Sequence, residues 1–145
     1  MNIQKTTEEL LKILNSMNSQ SELESYTNEI QNSQTTITFQ EFLLQQMQEK
    51  QILASRLIES AQIQRNYGYQ IINGTKTPGR DKVIALCLAM NFSVEETQRA
   101  LMLANSGALY AKNRRDSILI FALNKKLSVL DTNTLLYELE EEPLD

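Results

Sequence analysis

An all-helical fold is what this sequence predicts, and three observations predict it. Only two Pro and four Gly interrupt 145 residues, while good helix formers such as Leu, Gln, Glu and Ala are abundant. Apolar residues recur three and four apart, as in Phe39, Phe42, Leu43 and Met47, the period of a helix buried on one side. Several segments open on a hydroxyl residue followed three places later by a carboxylate. That spacing satisfies unpaired N–H groups at a helix start.

Taken in order, Thr6-Thr7-Glu8-Glu9 is the first such capping box, and the helix it opens carries Leu10, Leu11, Leu14 and Met17. Asn15 to Gln20 is polar and turn-like. A second helix then carries Leu23, Tyr26 and Ile30, and Gln31 to Thr36 reads as a linker. Two helices of this size cannot stand alone, so they need the rest of the chain, a second copy or a partner to pack on.

Thr38-Phe39-Gln40-Glu41 opens the next helix, with Phe39, Phe42, Leu43 and Met47 inward. Leu53, Leu57 and Ile58 form the apolar stripe of a short helix, followed by a few polar residues. Another short helix opens near Gln64 and reaches Ile71 and Ile72, where Asn73-Gly74 closes it. Pro78 blocks any continuation. A helix from Arg80 then presents Val83, Ile84, Leu86, Cys87 and Met90 to the core, ending at Asn91 and Phe92. Ser93-Val94-Glu95-Glu96 opens a further helix with Val94, Leu101 and Leu103 inward. Beyond Gly107, Asp116 to Lys125 is apolar over most of its circumference at Ile118, Leu119, Phe121, Ala122 and Leu123, which predicts burial. Ser128 with Asp131 caps a last helix carrying Leu135, Leu136 and Leu139. The acidic end, Glu138 and Glu140 to Glu142, reads as a solvated terminus.

Composition also narrows the chemistry. His is absent, which removes the commonest general base and metal ligand. Asp81, Asp116 and Asp131 are far apart in sequence, and neither a glycine-rich phosphate loop nor metal-ligand spacing occurs. We therefore expect no enzyme, no cofactor and no metal. No run of about 18 apolar residues and no export signal is present, so the expected setting is cytoplasmic, without a membrane. The lone Cys87, on an apolar helix face, is expected to be a small core residue in a reducing compartment.

The net charge is −4 but unevenly spread. Residues 1–49 hold Lys5 and Lys12 against seven acids, a net of −5. Residues 50–82 hold Lys50, Arg56, Arg65, Lys76, Arg80 and Lys82 against Glu59 and Asp81, a net of +4. A basic block in an acidic chain suits phosphate contact, because duplex affinity comes largely from counterion release by Lys and Arg.

The basic block coincides with the paired short helices, and here a resemblance enters. Leu57-x3-Ala61-x-Ile63, then Ile71-x2-Gly74-x3-Pro78, resembles the lambda-repressor-like (XRE-type) helix-turn-helix domain of small bacterial and phage regulators. The resemblance implies a five-helix domain over 37–104, flanked by an acidic N-terminal helical arm, 1–36, and a C-terminal helical extension, 105–145, packed on the domain. The segment NRRDSILIFALNKKLS…LLYELEEEPL is similar to the C-terminal stretch of some regulators with this domain. In such domains the second helix of the pair lies in the major groove. Counting back from Gly74 places Gln64, Arg65, Asn66 and Gln70 at base edges. Arg can bond bidentately to guanine, and Asn and Gln to adenine. Arg56, Lys76, Arg80 and Lys82 would contact the DNA backbone, and the hydroxyl of Tyr67 or Tyr69 would reach a phosphate or solvent. The family usually has Gly where Gln62 stands and a large aliphatic residue where Gly68 stands. Tyr67 or Tyr69 would fill the gap at Gly68, or another backbone, of DNA or protein, would approach there closely.

The expected function is that of a sequence-specific regulator of transcription, binding double-stranded DNA as a homodimer on a palindromic operator. The alternative is a protein-interaction adaptor that keeps the fold without base readout, docking through residues 1–36 or the C-terminal helices. In the adaptor reading the acidic arm is a docking surface; in the DNA-binding reading it would serve dimerisation, or fold over the basic surface and compete with DNA.

Overall fold

The computed structural model describes residues 7–33, with side chains through residue 28, and residues 37–145. Among these residues lie nine α-helices: α1 Thr7–Asn15, α2 Gln20–Ser33, α3 Phe39–Lys50, α4 Ala54–Ser60, α5 Arg65–Ile72, α6 Arg80–Ala89, α7 Val94–Leu103, α8 Arg114–Asn124 and α9 Val129–Glu138. No described residue is in a strand. The chain divides into two compact units, Met1–Thr36 and Ile37–Asp145.

The first unit holds α1 and α2. Leu10, Ile13 and Leu14 are half-buried, Leu11 is exposed, and α1 has no buried residue. Ser19 opens α2 by accepting from the Glu22 N–H. The Thr6 capping box lies outside the described residues, as does the Ile30 side chain. Gln31 to Ser33, expected as linker, belong to α2. With neither Gly nor Pro among them, nothing local forces the helix to stop.

In the second unit α6 is the central helix. Val83 to Leu88 are buried without interruption, as required of a helix covered on every side. Helices α4, α7 and α9 pack on α6, α3 packs on α5 and α7, and α8 packs on α7 and α9. Leu119, Ala122, Leu123 and Leu136 join the same core cluster as Phe42, Leu57, Ile71 and Leu101. Phe92 meets Phe42 edge-on at 5.9 Å. Cys87 is buried, and that burial pushes its thiol up to about 12, against the lowering effect of a hydrogen bond with Thr97 and aided by the charge of Glu96.

Helix starts follow the local sequence. Thr38, Ser93 and Ser128 each accept from the N–H three residues on, and Ser93 with Glu96 forms the complete reciprocal box. Asn113 caps α8 in the same way. Gly74, at φ 85°, follows α5 as the glycine rule expects, but most other helix stops do without glycine. Gln51, Gln62, Asn91, Asn105, Lys126 and Glu140 all adopt positive φ just past a helix end. After each one, the next N–H reaches back five residues, as in Ile52 to the Met47 carbonyl at 2.9 Å and Phe92 to the Cys87 carbonyl at 3.0 Å. This is the Schellman closure, and the residue that follows the left-handed one is often apolar and packs against the helix. Ile63 and Phe92 are buried there. Burial of these residues holds non-glycine side chains in a conformation that costs roughly 1–2 kcal/mol each.

Three expectations are corrected. Leu53 caps α4 through its backbone only and is 69% exposed, so the apolar stripe begins at Leu57. Phe121 is 49% exposed, so α8, which packs mainly on α7 and α9, is not covered over its whole circumference. The acidic end is not simply solvated: Glu141 pairs with Arg114 at 2.9 Å, and Arg115 holds the carbonyls of Glu142 and Pro143.

Candidate nucleic-acid interface

The site is built on α4, the turn after it, and α5. Ala61 and Ile63 anchor that turn in the core, and Gln62 between them takes φ 58°. The position where a glycine would be easiest is therefore left-handed, held by the Ile63 N–H bonded to the Ile58 carbonyl.

Helix α5 buries one side, Gly68 and Ile71, with Tyr67 and Ile72 half-buried beside them. Its opposite side, Arg65, Asn66, Tyr69 and the following Asn73, is exposed. The spacing i, i+1, i+4, i+8 makes these one face. Gln64 is exposed as well, but its Oε1 accepts from the Tyr67 N–H at 2.8 Å and so caps the helix, leaving its amide NH2 outside that bond. Gln70 is half-buried, and its carbonyl accepts from the Lys76 N–H. The Arg65 guanidinium stands 5.7 Å from the Tyr69 ring centre, close enough for a cation–π contact.

The gap at Gly68 is filled by neither tyrosine. A Cβ at this position would lie 2.6 Å from Cγ1 and 2.7 Å from Cγ2 of Ile58. The Ile58 side chain of α4 thus occupies the slot that a side chain at 68 would take, and α5 is pinned from across the turn. Tyr67 packs partly against the core, while Tyr69 is 37% exposed.

Among the expected backbone-contact residues, Arg56 and Lys76 are exposed and Lys82 is half-buried. Arg80 requires correction. Its guanidinium holds both oxygens of Asp116, at 3.1 and 2.9 Å, and donates to the carbonyls of Gly107 and Ala108. With four of its five N–H groups engaged in these bonds, Arg80 is oriented by the protein itself and offers far less to a phosphate than a free arginine would. Arg115 mirrors it, gripping Asp81 at 3.0 and 2.9 Å. Burial works against ionisation of Asp81, but the hydrogen bonds from Arg115 and the Asp145 N–H, with the charges of Arg115 and Arg80, outweigh it and lower its pKa. Since Arg80 and Asp81 are both paired, Lys50, Arg56, Arg65, Lys76 and Lys82 against Glu59 still leave the 50–82 block at +4.

Sequence reasoning missed this crossed pairing. Its one trace is the dipeptide Arg-Asp, found at 80–81 and at 115–116, each time in the first turn of a helix. No group of three or more His, Cys, Asp or Glu among the described residues is placed to hold a metal, and no helix among them is long and apolar enough to cross a membrane. No family model, no curated protein and no solved structure matches the chain.

Proposed function

We propose that this protein is a sequence-specific double-stranded-DNA-binding regulator of transcription. In this reading α3 to α7 form a lambda-repressor-like domain, with α4 and α5 as its helix-turn-helix. The observation that carries the reading is the exposed polar side of α5, with Arg65 and Asn66 in its first turn opposite a buried Gly68–Ile71 side. A short, well-anchored helix with base-reading side chains at its N-terminal end suits the major groove. Gln64 and Gln70 flank these two, and Arg56, Lys76 and Lys82 supply charge toward the phosphates. Binding as a homodimer would place two α5 helices about one turn of DNA apart.

Selection of bound fragments from random duplex DNA at moderate salt tests this directly. Enrichment of a palindromic site, affinity that falls steeply with salt, and loss of preference in Arg65→Ala support it. Absence of enrichment, or affinity indifferent to salt, refutes it.

One observation favours the adaptor reading instead. The stripe on α1 reaches no buried position, so α1 retains apolar surface that suits a protein partner. A stable partner lost on deleting 1–36, with no duplex binding by the full chain, identifies that alternative.

A further inference from the structure

Between α4 and α5 lies a notch of about 200 Å³ lined by Ser55, Ile58, Glu59, Ile63, Arg65 and Tyr69. Ile58 and Ile63 are buried residues and contribute its apolar lining. Tyr69 and Arg65 belong to the exposed side of α5. Ile58 reaches α5 directly at Gly68, where no side chain intervenes. The ring of Tyr69 forms an apolar wall, and the guanidinium of Arg65 stands beside it.

A recess lined by Ile58, Ile63 and the Tyr69 ring, with Ser55 and Glu59 also in its lining, next to a forked donor matches one feature of the major groove. Guanine offers two acceptors, N7 and O6, that suit a guanidinium, whereas the pyrimidine 5-methyl is the groove's apolar group. We infer that the α4–α5 notch receives the 5-methyl group of a pyrimidine at the base pair next to a guanine held by Arg65, with Tyr69 as the wall that makes the methyl count. The inference rests on the DNA reading above. The methyl belongs to thymine or to 5-methylcytosine, which present the same group at the same place. On this account Tyr69 discriminates bases with its ring, and its hydroxyl is dispensable.

The test uses the full-length protein and the duplex recovered by selection. Each thymine is replaced singly by deoxyuridine, which lacks only the methyl, and each cytosine beside a guanine by 5-methylcytosine. One position next to a guanine should respond, by roughly fourfold in affinity, about the worth of one buried methyl group. Weakening by deoxyuridine identifies thymine as the source, and tightening by 5-methylcytosine identifies the modified base. Tyr69→Phe should keep the response and Tyr69→Ala should abolish it, with Tyr69→Ala still showing the wild-type helical circular dichroism. A selected duplex bound with normal salt dependence yet indifferent to every methyl overturns this inference and leaves the DNA reading intact. An equal response in Tyr69→Ala overturns it too. Failure of the selection to enrich any site removes both.

Discussion

Arg80 holds Asp116, thirty-six residues further along the chain, through two parallel contacts, Nη1 to Oδ1 at 3.1 Å and Nη2 to Oδ2 at 2.9 Å. The neighbouring pair runs the other way, Arg115 to Asp81. Two Arg-Asp dipeptides therefore face each other with charges crossed, and they join the start of α6 to the start of α8. Asp116 also accepts from the Tyr110 N–H, so the clasp also secures the segment leading into α8. Arg115 extends it to the chain's end through the carbonyls of Glu142 and Pro143.

Asp116→Asn should destabilise the second unit by about 2 kcal/mol, because it leaves a largely buried Arg80 contact half-satisfied. The side chains are 28% and 8% exposed, so the loss stays below that of a fully buried pair. Arg80→Gln should cost a similar amount, and the double variant less than the two together. Urea denaturation of the three variants measures this, and strict additivity would show that the pair is not coupled.

Acid should act through the same clasp. Asp81 has its pKa lowered in the folded protein, so its ionised form favours the fold. That contribution is complete above the unfolded value, near 3.9, and is lost as pH falls through the lower folded value. Thermal melts between about pH 5 and pH 2 should fall less steeply for Asp81→Asn than for wild type. Parallel curves would mean that Asp81 ionises alike in both states.

At Gly68 the usual benefit of alanine in a helix should reverse. Gly→Ala inside a helix ordinarily gains about 0.5–1 kcal/mol, but here the new Cβ meets Ile58 at 2.6 Å. Overpacking of this kind costs about 1–3 kcal/mol. Gly68→Ala should therefore lower the melting temperature in the wild-type background and raise it in Ile58→Ala, where the obstruction is gone. The same sign in both backgrounds would refute the account.

Helix ends offer the opposite opportunity. Gln51 follows α3 with φ 56° and ψ 48° and is exposed. Gln51→Gly should stabilise the protein by about 0.5–1 kcal/mol, since relief of the left-handed strain exceeds the added freedom of the unfolded chain. Differential scanning calorimetry reads the shift, and a lower melting temperature would show that the Gln side chain contributes more than its backbone costs.

Much of the architecture was legible from local sequence alone. The period of apolar residues and the caps at Thr38, Ser93 and Ser128 marked helices that the structure contains, and Phe39, Phe42, Leu43 and Met47 are buried as their spacing demands. The polar residues ahead of Ile71 likewise lie mostly on the outside of α5. Such features follow from neighbours within one or two turns, which sequence spacing reports directly. Tertiary structure decided the rest: that Ile58 fills the slot at Gly68, that Arg80 turns to Asp116 rather than outward, and that residues such as Gln62 and Asn91 end helices without glycine. Each of those outcomes depends on what the remainder of the chain brings alongside, and a one-dimensional period carries no record of it.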